Sequence, residues 1–271
     1  MSYAEKGRID FRLLVEYGTT AGIREAEMDE HGHLDQESPS GKSWVPLESN
    51  PELLTELSHA LGLSDALGWH DVYSIDDPDL LAFVPRPCHA LLLVFPISSA
   101  YEQKRQRRDE QLKYNTPPPE GVFWFKQTIG NACGTMGLIH ALSNGDVYPF
   151  VTPTSPLHKF VESTKNLSIA EKAKALESNT EIEDCHRSTA TQGQTAAPDA
   201  TDDTDLHFVC FAKGTNGSLL ELDGRRAGYV DHGKLPEGED LLGEKALELI
   251  KEFVTGEGDN FNFSLTALGP L

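Results

Sequence analysis

The chain lacks any long apolar run: the longest, ALLLVF at residues 90–95, is six residues, against the roughly 20 that a membrane-spanning helix needs. A membrane partner is therefore not expected. The first ten residues, MSYAEKGRID, lack the basic start and apolar block of a secretory signal, which points to the cytoplasm or the nucleus. Cysteine is scarce and scattered. Cys88, Cys133, Cys185 and Cys210 form no CxxC pair and accompany no ligand-like histidine cluster. That excludes a disulfide scaffold and structural zinc, and no metal or cofactor is expected. Positive charge is also scarce: 23 Lys and Arg against 43 Asp and Glu leave a formal net charge of −20. Such acidity repels nucleic acid and anionic membranes and favours a basic partner.

What is present is a soluble-protein composition with ample length for a hydrophobic core. Residues 1–42 are polar and weakly patterned, and they read as a mobile extension outside the main fold. From Trp44 the texture changes. In ESNPELLTELSHALGL, Asn50 is placed to cap a helix with Pro51 in its first turn and Leu53, Leu54, Leu57 and Leu61 on one stripe. ALLLVFPIS reads as a central strand, apolar on both faces. The basic run at residues 104–108 reads as a solvated face rather than a localisation signal. VFWFKQTI reads as a strand, and helices are expected after Ser155-Pro156 and at the capping box Ser168/Glu171. Residues 179–205 are polar, with little periodicity, and read as one long loop of a functional or disordered kind. Two strands around GTNG, an amphipathic helix near residues 242–253 and a closing strand FNFSLTAL complete an α/β (α+β) single domain.

Within KQTIGNACGTMGLIHAL, Cys133 falls where the strand gives way to a helix. With Asn131 as N-cap, the free N–H groups and dipole of the helix start favour a thiolate. The small neighbours Ala132, Gly134 and Thr135 leave room for a substrate backbone, and the Gln127 amide is a candidate second donor to an oxyanion. A small buried thiol packed in a tight helix fits the same segment equally well. His140 lies two turns further on, roughly 10 Å along the axis, and reads as a core histidine.

A cysteine nucleophile needs a histidine within hydrogen-bond reach and a third group to hold its ring. His207 is the histidine flanked by apolar strand residues, in DLHFVCFA, and Asp223 ends the next strand, in ELDGR. A two-residue Asn216-Gly217 turn sets 207 opposite 226, with Asp223 on the wrong face. A three-residue loop over 215–217 sets 207 opposite 225 and puts Asp223 diagonal to His207. The sequence allows either.

These segments, with WVPLESNPE, VYSIDDPDLLAFVPRPCHALLLVFPI, QGQTAAP and ELDGRR…DHG, resemble in order the ubiquitin carboxyl-terminal hydrolases of the UCH family, particularly the small single-domain members. The likeness covers residues 43–271 as one catalytic domain. It implies a papain-like cysteine protease fold with a central antiparallel sheet flanked by helices and a knotted chain path. It implies Cys133 as nucleophile, His207 as general base and acid, Asp223 as its orienting residue and Gln127 in the oxyanion hole. Residues 179–205 would be the crossover loop that limits leaving-group size. The implied activity is release of small adducts or short peptides from the C-terminal glycine of ubiquitin through a thioester, by a monomer. Ubiquitin's basic face would suit the acidic surface. NEDD8 as a main substrate is an alternative; so is a non-catalytic ubiquitin-binding module. A redox-sensing thiol would need a resolving cysteine, and none adjoins Cys133 in sequence.

Overall fold

Alternation along one strand explains why the core has two halves. β2 (Ala90–Pro96) is buried throughout. Leu92 and Val94 join a cluster with Trp44, Leu57, Leu138 and Phe208, while Leu91, Leu93 and Phe95 join another with Phe211, Ile250 and Phe253. A strand read as apolar on both faces is one covered on both faces. A computed structural model of the chain describes residues 40–111, 118–193, 200, 206–255 and 263–271; of the extension expected over 1–42, residues 1–39 lie outside them, while the Ser40 N–H donates to the Thr128 carbonyl and the Lys42 carbonyl accepts from the Gly130 N–H.

Among the described residues, six strands form one antiparallel sheet in the order β1-β6-β2-β3-β4-β5. These are β1 (Leu67–Asp71), β3 (Leu206–Lys213), β4 (Ser218–Leu222), β5 (Val230–Lys234) and β6 (Ser264–Pro270) around β2. On one side lie α1 (Pro51–Leu61), α4 (Cys133–Ser143), α5 (Pro156–Thr164), α6 (Ile169–Glu177) and α7 (Thr180–Ala190); on the other lies α8 (Glu244–Thr255). α2 (Pro78–Leu81) is a single turn, and α3 (Ser99–Gln111) carries the basic run.

The expected caps form. The Asn50 side chain accepts from the Glu52 N–H at 2.9 Å, and α1 ends at Gly62 with φ 119°. Ser168 and Glu171 make the reciprocal capping box at the start of α6.

Two expectations need correction. Residues 179–205 do not begin as a loop: Asn179 caps the Ile182 N–H at 2.9 Å and opens α7. Residues 122–128 are not a strand. The N–H groups of Phe123 and Phe125, which a ladder would have used, donate to the side chains of Asn144, just past α4, and of His140 within it.

α4 can lie close to the sheet because it carries glycines there: a Cβ at Gly137 would sit 2.7 Å from the Leu92 Cδ2. Leu92→Ala, at a side chain with 0 % exposure, is expected to cost about 2–5 kcal/mol of unfolding free energy. Urea titration at unchanged m checks this, and a loss below about 0.5 kcal/mol would contradict it.

Candidate active site

The segment before the cysteine is clamped from both sides. On one side, Phe123 exchanges hydrogen bonds with the Asn144 side chain (2.9 and 2.8 Å), and the Phe125 N–H donates to His140 Nε2 at 3.0 Å. His140 and Asn144 are one helical turn apart and share a face. His140 is thus the expected core histidine, and burial lowers its pKa to about 4, leaving the ring neutral. On the other side, Trp124 Nε1 donates to the Asp223 carbonyl at 3.0 Å, and the Gln127 N–H to the Gly224 carbonyl at 2.9 Å. The Lys126 ammonium donates to the carbonyls of Arg225 and Arg226 at 2.7 and 2.9 Å. The approach to the cysteine and the turn after β4 are therefore one rigid unit.

Asn131 does not cap α4, a third difference from the sequence reading. It adopts φ 56°, tolerable for Asn, and its side-chain amide donates to the Ala200 carbonyl at 3.0 Å. The N-cap position falls to Ala132, which has no side chain to offer. The Gly134 N–H, which an Asn131 cap would have occupied, faces the Cys133 sulfur instead.

His207 and Asp223 reach each other because the hairpin has the three-residue loop. Gly217 is left-handed at φ 83°, the Gly214 N–H donates to the Ser218 carbonyl at 2.8 Å, and the ladder pairs Lys213 with Leu219 and Cys210 with Leu222. Continued, this register sets 207 opposite 225, with Asp223 on the same face. His207 Nε2 meets Asp223 Oδ1 at 2.9 Å, and the Arg225 N–H donates to the same oxygen at 2.8 Å. Nδ1 remains for the Cys133 sulfur, which lies beside the ring. The three side chains are buried, Cys133 least so at 9 % exposure.

The electrostatics follow from this packing. Burial alone would raise the Cys133 pKa; the His207 ring and the N–H groups of Phe208 and Gly134 outweigh it and bring it below the usual thiol value. Burial opposes charge on His207, yet the Asp223 carboxylate wins and raises it to about 9. Asp223 is held well below the usual carboxylate range by His207 against the cost of its own burial. Both shifts act toward a thiolate beside an imidazolium.

The fourth candidate is differently placed. The Gln127 amide donates to the Ile129 carbonyl at 3.1 Å, and its Oε1 is buried without a partner among the described residues. The structure thus joins Cys133, His207 and Asp223 and holds Gln127 on the adjoining unit.

Sequence reasoning missed the supports. His186, assigned to a loop, projects from α7 and is buried. Its Nδ1 meets the Thr135 hydroxyl at 2.7 Å, its Nε2 the Val45 carbonyl at 3.0 Å, and Trp44 stacks on its ring at 4.6 Å. It ties α7 to the first turn of α4. The His140/Asn144 spacing was a readable signal; nothing distinguished Trp124 from an ordinary core aromatic. No group of three or more His, Cys, Asp or Glu is placed to hold a metal among the described residues. No described helix is long and apolar enough to cross a membrane.

The family description "Ubiquitin carboxyl-terminal hydrolase, family 1" matches residues 44–255. The chain is 39% identical to ubiquitin carboxyl-terminal hydrolase 3 of Arabidopsis thaliana over 233 residues, 86% of this chain and 96% of that one. It is 38% identical to a probable ubiquitin carboxyl-terminal hydrolase of Dictyostelium discoideum over 238 residues, 87% of this chain and 91% of the other. In structure it resembles the Trichinella spiralis UCH37 catalytic domain bound to ubiquitin vinyl methyl ester, with TM-score 0.66 at 24% identity over 84% of this chain and 95% of that one. That likeness carries the papain-like fold. With a family match across most of its length and relatives near 38% identity, the chain belongs to the ubiquitin carboxyl-terminal hydrolases of family 1, a family of cysteine-type hydrolases.

Proposed function

We propose that this chain cleaves small adducts and short peptides from the C-terminal glycine of ubiquitin through a thioester acyl-enzyme. The observation that carries the proposal is the imidazole of His207, held on Asp223 Oδ1 at 2.9 Å and set beside the buried Cys133 sulfur. The Cys133 thiolate adds to the glycine carbonyl carbon, and the carbonyl oxygen takes the negative charge. The tetrahedral species collapses, the C–N bond breaks, and the leaving amine takes a proton from imidazolium His207. A water molecule then adds to the thioester and gives its proton to His207. Collapse expels the thiolate and frees ubiquitin's carboxylate. Asp223 keeps the ring oriented and stabilises its cationic form.

The Cys133 N–H and the Gln127 amide are the proposed oxyanion donors. Gln127 would exchange its Ile129 contact for the substrate oxygen as substrate enters. Gln127→Ala is expected to lower kcat by about 10^2-fold with little change in KM. Steady-state kinetics check this; parent-like kcat would remove Gln127 from the role.

Chemistry at the carbonyl does not itself choose between ubiquitin and NEDD8, so substrate choice rests on surfaces outside the triad. The names of the relatives favour ubiquitin. Parallel hydrolysis of fluorogenic ubiquitin and NEDD8 amides tests the assignment. Faster turnover of ubiquitin is expected, turnover of neither would leave a binding module, and NEDD8 preference would replace the substrate. A reducing compartment, cytoplasm or nucleus, suits a free thiolate.

A further inference from the structure

The loop that carries the proposed oxyanion donors, residues 127–132, belongs to no helix or ladder strand. Gly130 and the left-handed Asn131, at φ 56°, lie within it. Oxyanion donors act only when held about 3 Å from the developing charge, so whatever fixes this loop contributes to the rate. The turn after β4 grips one side of it, as described above. The other side is gripped by residues 40–45, the first three of which read from sequence as the end of a mobile extension.

These residues form a strap parallel to the loop, bridged at Ser43 and Gly130. The Ser40 N–H and hydroxyl both donate to the Thr128 carbonyl, at 3.3 and 2.7 Å. The Gly130 N–H donates to the Lys42 carbonyl at 2.8 Å, and the Gly130 carbonyl accepts from the Trp44 N–H at 2.9 Å. Both backbone groups of the glycine are thus committed to the strap. The strap is in turn fastened by the Lys42 side chain. Its ammonium donates to the carbonyl of Glu177, the last residue of α6, at 3.0 Å and pairs with Glu183 in the first turn of α7 at 2.6 Å. A helix end presents unsatisfied carbonyls and the negative end of its dipole, which suit a cation. The Glu177 carboxylate reaches the loop itself, accepting from the Thr128 hydroxyl at 2.5 Å. The junction of α6 and α7 therefore holds strap and loop together.

We propose that Lys42 is a positioning residue for the hydrolysis: by pinning the strap to the α6–α7 junction it fixes the Thr128–Gly130 backbone, and so aims the Gln127 amide and the Cys133 N–H at the oxyanion. The inference rests on the hydrolase reading above. The contacts of Lys42 lie within the chain, and its effect reaches the substrate only as charge develops on the carbonyl oxygen. Losing it therefore lowers kcat and leaves KM nearly as it was.

The test is steady-state hydrolysis of a fluorogenic ubiquitin amide by variants of the full chain, with thermal melting and amide exchange of each. Lys42→Met is expected to lower kcat about five- to twentyfold with KM within about twofold of the parent. Lys42→Arg, which keeps the charge and the reach, is expected to recover kcat to within about threefold of the parent. In a Gln127→Ala background the Lys42→Met loss is expected to shrink to about twofold, because one of the two donors is already gone. The Gly130 amide should exchange faster in Lys42→Met, with the β2 amides unchanged. The Lys42 and Glu183 side chains are 30 and 26 % exposed, so the variant should melt within about 3 °C of the parent. Parent-like kcat in Lys42→Met, or the same fold-loss with and without Gln127, overturns the positioning role and leaves the hydrolase reading standing. A rise in KM alone, or a large fall in Tm that accounts for the lost activity, overturns it too. A parent without turnover overturns the hydrolase reading, and this proposal with it.

Discussion

Cys133→Ala is expected to lower hydrolysis of a ubiquitin C-terminal amide by about 10^4- to 10^6-fold while leaving ubiquitin affinity within a few-fold of the parent. Members of a nucleophile–base unit act together, so loss of the nucleophile forfeits nearly the whole chemical advantage. The change removes one sulfur from a side chain already at 9 % exposure, so the void left behind is small. The surfaces that hold ubiquitin do not require the sulfur. Kinetics on the amide and a binding titration with free ubiquitin check the two halves separately. Retained turnover would overturn the nucleophile assignment; lost binding together with lost turnover would indicate a folding defect.

Asp223→Asn is expected to lower kcat/KM near neutral pH by about 10^2- to 10^4-fold and to move its alkaline limb. In the parent, His207 is raised from an ordinary 6.5 to about 9, with Asp223 the cause that overcomes burial. The imidazolium is therefore present at neutral pH, and activity should fall as pH rises through about 9. The acid limb should report Cys133, held below its ordinary 9.0. An asparagine keeps the shape and removes the charge, so the alkaline limb should descend toward 6.5. An unmoved limb would dissociate Asp223 from His207.

Stability carries the same signature. The raised pKa of His207 contributes stability that is complete below 6.5 and is lost as pH rises through about 9. The depressed pKa of Asp223 contributes stability present above 3.8 and lost as pH falls through its lower folded value. Both contributions come from one contact and are not to be added. In Asp223→Asn both dependences should flatten.

How much of this was legible in the sequence depends on what carried each signal. The hairpin loop was readable as two options, and the ladder pairing Lys213 with Leu219 selects the one that joins His207 to Asp223. The caps at Asn50 and Ser168 were readable because local hydrogen bonding decides them. α7 was not readable: its buried positions are Ile182, His186, Thr189 and Ala190, a helical spacing carried mostly by polar or small residues. VFWFKQTI has strand composition, yet its backbone N–H groups at Phe123 and Phe125 bond the side chains of Asn144 and His140. Tertiary partners there override a local preference. Asn131 has the composition of a cap, but its left-handed φ turns the side chain toward Ala200. The last two failures lie where a contact distant in sequence decides the backbone.

The most direct measurement is the intact mass of the chain after incubation with a ubiquitin C-terminal vinyl electrophile, followed by mapping of the modified peptide. One adduct is expected, formed by addition of the Cys133 thiolate to the vinyl carbon and absent from Cys133→Ala. Labelling that persists in that variant, or that falls on Cys88, Cys185 or Cys210, would contradict the account.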